Sequence, residues 1–209
     1  MRKLKELCSL NDIRLDDNCL ELFDKYKELL KKWGKRINLT SLLSDEEIEV
    51  KHFFDSLLGL KAFELLGLEV SGKEFYDVGS GAGFPGIPLA IVLRDASFNL
   101  VESRHKRCVF LEQVKRELKL RNVKVFCHRI EEHTGYYDYL LMRAVKDPET
   151  AVEMTEHLLS EKTVMCIYRG REEFRKKIPG YELEEITIEP KGVNFVRRFL
   201  FIKKCNGKN

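Results

Sequence analysis

The run Asp77-Val78-Gly79-Ser80-Gly81-Ala82-Gly83-Phe84-Pro85-Gly86 constrains this chain more than any other stretch, with four glycines in eight residues. Glycine loses more conformational freedom on folding than any other residue. A run like this therefore fits a backbone that must turn sharply and let a ligand come close. Phe75, Tyr76 and Val78 before it read as a buried strand, and Ile87 to Leu93 after it read as the first turns of a helix. Pro85 and Pro88 are tolerable near a helix start. Strand, glycine loop, helix is the nucleotide-binding turn of doubly wound sheets.

Two carboxylates narrow the ligand. Asp77 comes two residues before the first glycine, where it would sit at the strand's end and face the ligand crevice. It would repel a pyrophosphate and attract a ligand carrying an ammonium and a sulfonium. S-adenosylmethionine (SAM) carries both. Glu102 ends the next strand, 25 residues further on, where an acidic side chain accepts ribose hydroxyls. Gly81, Gly83 and Gly86 also satisfy the G-x-G-x-x-G pattern of NAD-binding folds, and Glu102 does not separate the two ligands. An NAD-dependent oxidoreductase and a non-catalytic RNA-binding protein stand as alternative readings. Asp77 through Gly83 resembles the Asp-x-Gly-x-Gly-x-Gly motif of class I SAM-dependent methyltransferases at every position.

The chain divides near residue 70. Residues 1–70 read as a helical region and 71–209 as a SAM-binding domain. Leu20, Leu22, Phe23, Tyr26, Leu29, Leu30 and Trp33 follow helical spacing, with Asp16 or Asp17 as cap and Gly34 at the end. Ser44-Asp45-Glu46-Glu47 has the form of a capping box and opens a second helix carrying His52, Phe53 and Leu57. Beyond residue 70, strand patterns at 75–78, 97–102, 123–127, 138–142 and 163–168 alternate with helices starting near Pro85, Arg104 and Pro148. Ser103 and Asp147 are the cap candidates for the last two. Such alternation implies a parallel sheet. The segments 182–189 and 196–203, joined through Pro190 and Gly192, read as an antiparallel pair. The expected fold is α/β, a seven-stranded Rossmann-like sheet with an antiparallel last strand and an N-terminal helical extension.

Of the 209 residues, 44% are apolar and 34% charged, with a net charge of +3. That is enough for one large core with a small appendage. Any RNA-binding surface must come from clustering, as at Lys31–Arg36, Arg104–Arg107, Arg169 with Arg171, and Arg197-Arg198. The six cysteines lie far apart with no C-x-x-C, so neither a disulfide framework nor a zinc ribbon is expected. Cys127, His128 and His133 fit no standard zinc spacing, and no metal is assigned. No apolar run is long enough to span a membrane, and the charged start lacks the apolar core of a signal peptide. The expectation is a cytoplasmic protein with no membrane partner.

Three pieces resemble the RsmG family, also called glucose-inhibited division protein B. The first is Arg36-Ile-Asn-Leu-Thr-Ser41 with His52-Phe-Phe-Asp-Ser-Leu57. The second is Asp77 to Ala90, in which Phe84-Pro-Gly-Ile-Pro88 extends the general motif. The third is Glu102-Ser103, Lys106-Arg107 and Phe110-Leu111, with Arg129-Ile-Glu-Glu132 and Arg143-Ala144 beyond. The chain departs from the family at Glu102, where an aspartate is usual, and at Arg169, where a lysine is usual. Arginine keeps that charge but not the geometry.

The resemblance implies methyl transfer from SAM to guanine N7 of 16S ribosomal RNA, by a monomer acting on that RNA or on the small subunit. It implies that Asp77, Gly79, Gly81 and Phe84 line the SAM pocket. Glu102, Ser103 and Arg104 would surround the ribose, Ile130 and Glu131 would flank the adenine, and Arg143 would face the methionine end or the incoming base. Lys106 and Arg107 would touch RNA, while Asn38, His52 and Asp55 are candidates for holding the base. Guanine N7 carries a lone pair and no proton, so no catalytic base is assigned.

Overall fold

The computed structural model describes residues 1–37, 44–145 and 147–205. Seven strands form one sheet: β1 (Glu74–Val78), β2 (Ser97–Val101), β3 (Val123–Phe126), β4 (Tyr139–Arg143), β5 (Val164–Arg169), β6 (Tyr181–Ile188) and β7 (Arg197–Lys204). Their order is β3-β2-β1-β4-β5-β7-β6. β1 through β5 pair in parallel, and β7 runs antiparallel to both β5 and β6. Each strand lies within two residues of its expected position.

The inner strands are apolar on successive residues because both faces of the sheet are covered. Phe75, Leu141, Cys166, Tyr168 and Phe199 face one core, and Tyr76, Leu140, Met142, Ile167 and Leu200 face the other. The second core includes Ala151 and Val152 of α7 (Pro148–Thr155). The first core also contains residues of α1 (Arg2–Leu10), α2 (Asp17–Ile37), α4 (Asp55–Leu65), α5 (Gly86–Val92) and α6 (His105–Leu118).

Two expected caps form. Asp16 Oδ1 accepts the Cys19 amide at 2.7 Å, and Asp147 accepts the Thr150 amide at 3.3 Å. Ser44 closes its box with Glu47 at the start of α3 (Asp45–Glu47), accepting the amide and donating to the carboxylate. Helix α3 runs through a π-helical segment, Ile48–Phe54, into α4. Ser103 does not cap α6. Arg104 occupies that position, and the Glu102 carboxylate accepts the Arg104 amide at 2.8 Å.

Three expectations are corrected. Helix α2 does not stop at Gly34 but continues to Ile37; a glycine inside a helix costs only about 1 kcal/mol, which packing against α6 offsets. Helix α1, which has no sequence counterpart above, packs Leu4, Leu7 and Cys8 into the core. Cys108 and Cys127 form a disulfide, their Cα atoms 5.7 Å apart. Residues 109–126 between them contain most of α6 and all of β3, which together bring the two cysteines close.

Candidate functional site

The chain passes from β1 outward through β2 and β3, then returns to place β4 on the other side of β1. This reversal opens a crevice at the carboxyl ends of β1 and β4, where open α/β sheets bind ligands. The sequence candidates on the first half of the domain meet here.

Asp77 is fully buried at the end of β1. Its Oδ2 accepts the Gly86 amide at 3.1 Å, while Oδ1 is buried with no hydrogen-bond partner among the described residues. Burial pushes its carboxyl up to about 7, against the downward pull of the Gly86 amide and the Arg143 guanidinium. Asp77 therefore does not face the crevice directly: it lies beneath the glycine loop and outside the lining of the cavity beside it, and its unpaired oxygen there favours a cationic group nearby.

The glycines divide into two kinds. Gly79 and Gly81 adopt left-handed backbone, φ +69° and +59°, and a Cβ built on Gly79 meets nothing within 4 Å. The space above this part of the loop is open. A Cβ on Gly83 would lie 2.7 Å from Ile87 and from the Tyr26 hydroxyl, and one on Gly86 would strike Leu100 and Asp77. Those two glycines serve packing. Tyr26 of α2 donates to the Ala82 carbonyl, so the N-terminal helices brace the loop from beneath.

A cavity of about 250 Å³ opens beside the loop, lined by Gly79, Glu102, Ser103, Ile130, Glu131 and Met154 among others. Glu102 is buried, with Oε2 accepting the Gly81 amide at 3.0 Å and Oε1 the Arg104 amide. A carboxylate has about four acceptor positions, so lone pairs remain for a diol. Ile130 is buried at the start of a 3-10 turn, and Glu131 is exposed. The Arg104 side chain is exposed. Arg107 turns toward Glu102, its Nη1 3.5 Å from Oε2, whereas Lys106 is exposed on α6. The open loop, the Glu102 carboxylate with lone pairs to spare and the unpartnered Asp77 oxygen together fit SAM.

The crevice has a second wall. His52, in the π-helical segment, stacks on Phe84 with ring centroids 4.6 Å apart and planes 9° from parallel. Burial, reinforced by the Arg143 charge, pushes the His52 imidazole down to about 4, so it is neutral at physiological pH. Arg143 lies 5.9 Å from the Phe84 ring centre and donates to the Lys51 carbonyl at 2.7 Å. Ala144, next in the chain, sits at φ +60°, a left-handed conformation that costs a non-glycine residue about 1–2 kcal/mol.

Asp55 is not placed to hold a base. It is fully buried between two arginines, Arg143 at 2.9 Å and Arg197 at 2.5 Å. Arg197 was legible only as a member of a basic pair, because its partner lies 142 residues away in the chain. Asn38 lies outside the described residues.

The family model for rRNA small subunit methyltransferase G matches residues 19–192. The chain belongs to this family. Among curated members, the one from Aquifex aeolicus strain VF5 is 37% identical over 185 residues, covering 88% of this chain and 93% of that protein. One from Francisella tularensis is 32% identical over 204 residues, covering 97% and 96%. Both carry the name Ribosomal RNA small subunit methyltransferase G.

Solved structures agree on the fold of this family member. A SAM-dependent methyltransferase from Aquifex aeolicus superposes with a TM-score of 0.56 at 16% identity, covering 91% of this chain and 100% of that one. Magnesium protoporphyrin IX methyltransferase from Synechocystis with bound SAM gives 0.59 at 15% identity, covering 86% and 97%. The architecture is that of class I SAM-dependent methyltransferases.

Proposed function

We propose that this chain transfers a methyl group from SAM to N7 of a guanine in the 16S RNA of the small ribosomal subunit. The observation that carries this reading is the division of the crevice at the boundary of β1 and β4. One half, with Asp77 and Glu102, suits a cationic nucleoside. The other, with Arg143 and Arg197, suits RNA. In this reading residues 71–209 are the SAM-binding domain, and residues 1–70 are the helical region that supplies the His52 wall. The chain acts as a monomer on the small subunit, in the cytoplasm. No helix among the described residues is long and apolar enough to cross a membrane.

Bound SAM supplies an electrophilic methyl group on a sulfonium. The protein has no proton to remove from guanine N7, so its residues act by placement. Well-oriented reactants recover about 7–11 kcal/mol of barrier in favourable systems. Asp77 favours the cationic cofactor, and Glu102 with the glycine loop fixes the nucleoside. The neutral His52 stacked on Phe84 adds no positive charge to repel the sulfonium. We assign Arg107 to holding Glu102 and leave Lys106 as the RNA contact on α6.

The test is transfer of labelled methyl from SAM to purified small subunits, with a parallel calorimetric titration of SAM and NADH. Label in the RNA and binding of SAM alone support the reading. NADH binding without label in the RNA overturns it in favour of an oxidoreductase. SAM binding without transfer to naked 16S RNA or to subunits leaves only a binding protein.

A further inference from the structure

We propose that a second cavity, at the tips of β4, β5 and β7, binds a phosphate flanking the target nucleotide. The proposal rests on the methyl-transfer reading and names where that substrate is gripped. The cavity has a volume of about 500 Å³, and its lining includes Arg143, Tyr168, Arg169, Arg171, Glu172 and Arg197.

Its charges do not cancel. Asp55 is shared between Arg143 and Arg197. Glu185 is shared between Arg169 at 3.9 Å and Arg198 at 3.0 Å. Each carboxylate therefore offsets one of its two guanidiniums. Arg171 has no ion-pair partner among the described residues; its guanidinium donates to the Asn194 carbonyl at 3.4 Å, and its carbonyl accepts from Arg198 Nε. Four guanidiniums and one carboxylate, Glu172, line the cavity; with Asp55, Glu185 and Arg198 behind them, five guanidiniums stand against three carboxylates, leaving two positive charges uncompensated.

These guanidiniums are also held in place. The side chains of Arg143, Arg169 and Arg197 are 20%, 12% and 22% exposed. Arg143 is tied to the Lys51 carbonyl, Asp55 and Ser56, and Arg197 to Asp55 and the Arg169 carbonyl. A concave site with fixed, uncompensated positive charge concentrates anions. Guanidinium forks match phosphate oxygens in pairs. Arg169 Nε is buried without a hydrogen-bond partner, since Glu185 is too distant to accept from it. Buried donors left unpaired are rare.

Two anions could enter: a phosphate of RNA or the carboxylate of the cofactor's methionine. Strand spacing favours the first. Neighbouring strands lie about 4.8 Å apart, so Arg143 on β4 stands beside the glycine loop, while the β5 and β7 tips that carry Arg169 and Arg197 stand roughly 10–14 Å from it, and the phosphate is assigned to that far end.

The test titrates guanosine and guanosine 3′,5′-bisphosphate into the full-length chain saturated with S-adenosylhomocysteine, which prevents turnover. The bisphosphate should bind about tenfold tighter or more, as a charge-assisted hydrogen bond would give. Arg171→Gln should bring the ratio close to one and leave SAM affinity within about twofold. Arg171→Lys, which keeps the charge and loses the fork, should fall between. Circular dichroism verifies that the variants fold, and Arg171 is exposed, so its replacement disturbs no core. Equal binding of the two ligands by the native chain, or no binding of the bisphosphate, overturns the proposal. So does a ratio that Arg171→Gln leaves unchanged. A parallel loss of SAM affinity in Arg171→Gln assigns the arginines to the cofactor carboxylate and also overturns it. Failure of methyl transfer alone would leave the ligand ratio intact, so the two readings fail separately.

Discussion

Lowering the pH below 7 should weaken SAM binding through Asp77. Burial sets this carboxyl at about 7 in the ligand-free protein. The sulfonium is a permanent charge, and a free α-amino group titrates at about 7.7–8.0, so the ligand remains cationic below pH 7. A cation near the unpaired Oδ1 prefers the ionised carboxylate, and binding in acid must expel a proton. If the bound carboxyl titrates well below 5, the dissociation constant rises about fivefold from pH 7 to 6 and about fiftyfold from 7 to 5. His52 stays neutral over most of that range, because burial holds it at about 4. Arg143 and Glu102, the other charged groups that act on Asp77, pull in opposite directions. The stability contribution of Asp77 itself has the other sign. A carboxyl raised on folding stabilises the ligand-free protein in its protonated form, and that contribution is lost as pH rises from about 4 through 7. Weaker binding in acid is therefore not explained by the same group unfolding the chain. The assay is calorimetry at pH 5, 6, 7 and 8 in two buffers of different ionisation heat, which reads proton release directly. Asp77→Asn, which keeps an acceptor for the Gly86 amide, should bind SAM more weakly with a flat profile. Equal affinity of the native chain at pH 5 and 8, or an unchanged slope in Asp77→Asn, would refute the reasoning.

The glycine loop predicts a contrast: Gly81→Val should abolish SAM binding in a folded protein, whereas Gly86→Ala, whose Cβ lies 2.7 Å from Asp77 Oδ2 and also strikes Leu100, should lower stability by about 1–3 kcal/mol. Circular dichroism melts paired with SAM titration separate the two. Thiol titration of the denatured, unreduced chain should find four free cysteines, since Cys108 and Cys127 are joined; six would contradict the pairing. Removing that 19-residue link should cost about 3 kcal/mol if chain entropy dominates. Lys106→Gln should flatten the salt dependence of RNA binding by about one unit of slope, while Arg107→Gln should instead loosen SAM, because Arg107 faces Glu102. An unchanged slope in Lys106→Gln would mark that lysine as solvent-facing.

Local features of the fold were legible and distant pairings were not. Strands buried on both faces, such as Tyr139–Arg143, announce themselves as apolar runs between turn signals. The glycine loop and the two strand-end carboxylates were legible because each role depends on a few neighbouring residues. Asp55 reads in the sequence as a candidate for holding the base. Its burial between Arg143 and Arg197 is set by the packing of α4 against the ends of β4 and β7, which no local pattern encodes. The disulfide was missed for the same reason, since Cys108 and Cys127 meet only once α6 and β3 are packed. Helix α1 is nine residues long, too short to be stable alone, and owes its helicity to the core under Leu4 and Leu7. The π-helical turn at Ile48–Phe54 carries no residue signature, yet it aims His52 at Phe84.

The most direct test of the account locates the transferred methyl group. Small subunits are incubated with the protein and deuterium-labelled SAM, and their RNA is digested for fragment mass mapping and nucleoside analysis. The account predicts one labelled fragment of 16S RNA and 7-methylguanosine as the only labelled nucleoside. Label on another nucleoside, at another atom of guanine, or spread over many fragments would contradict it.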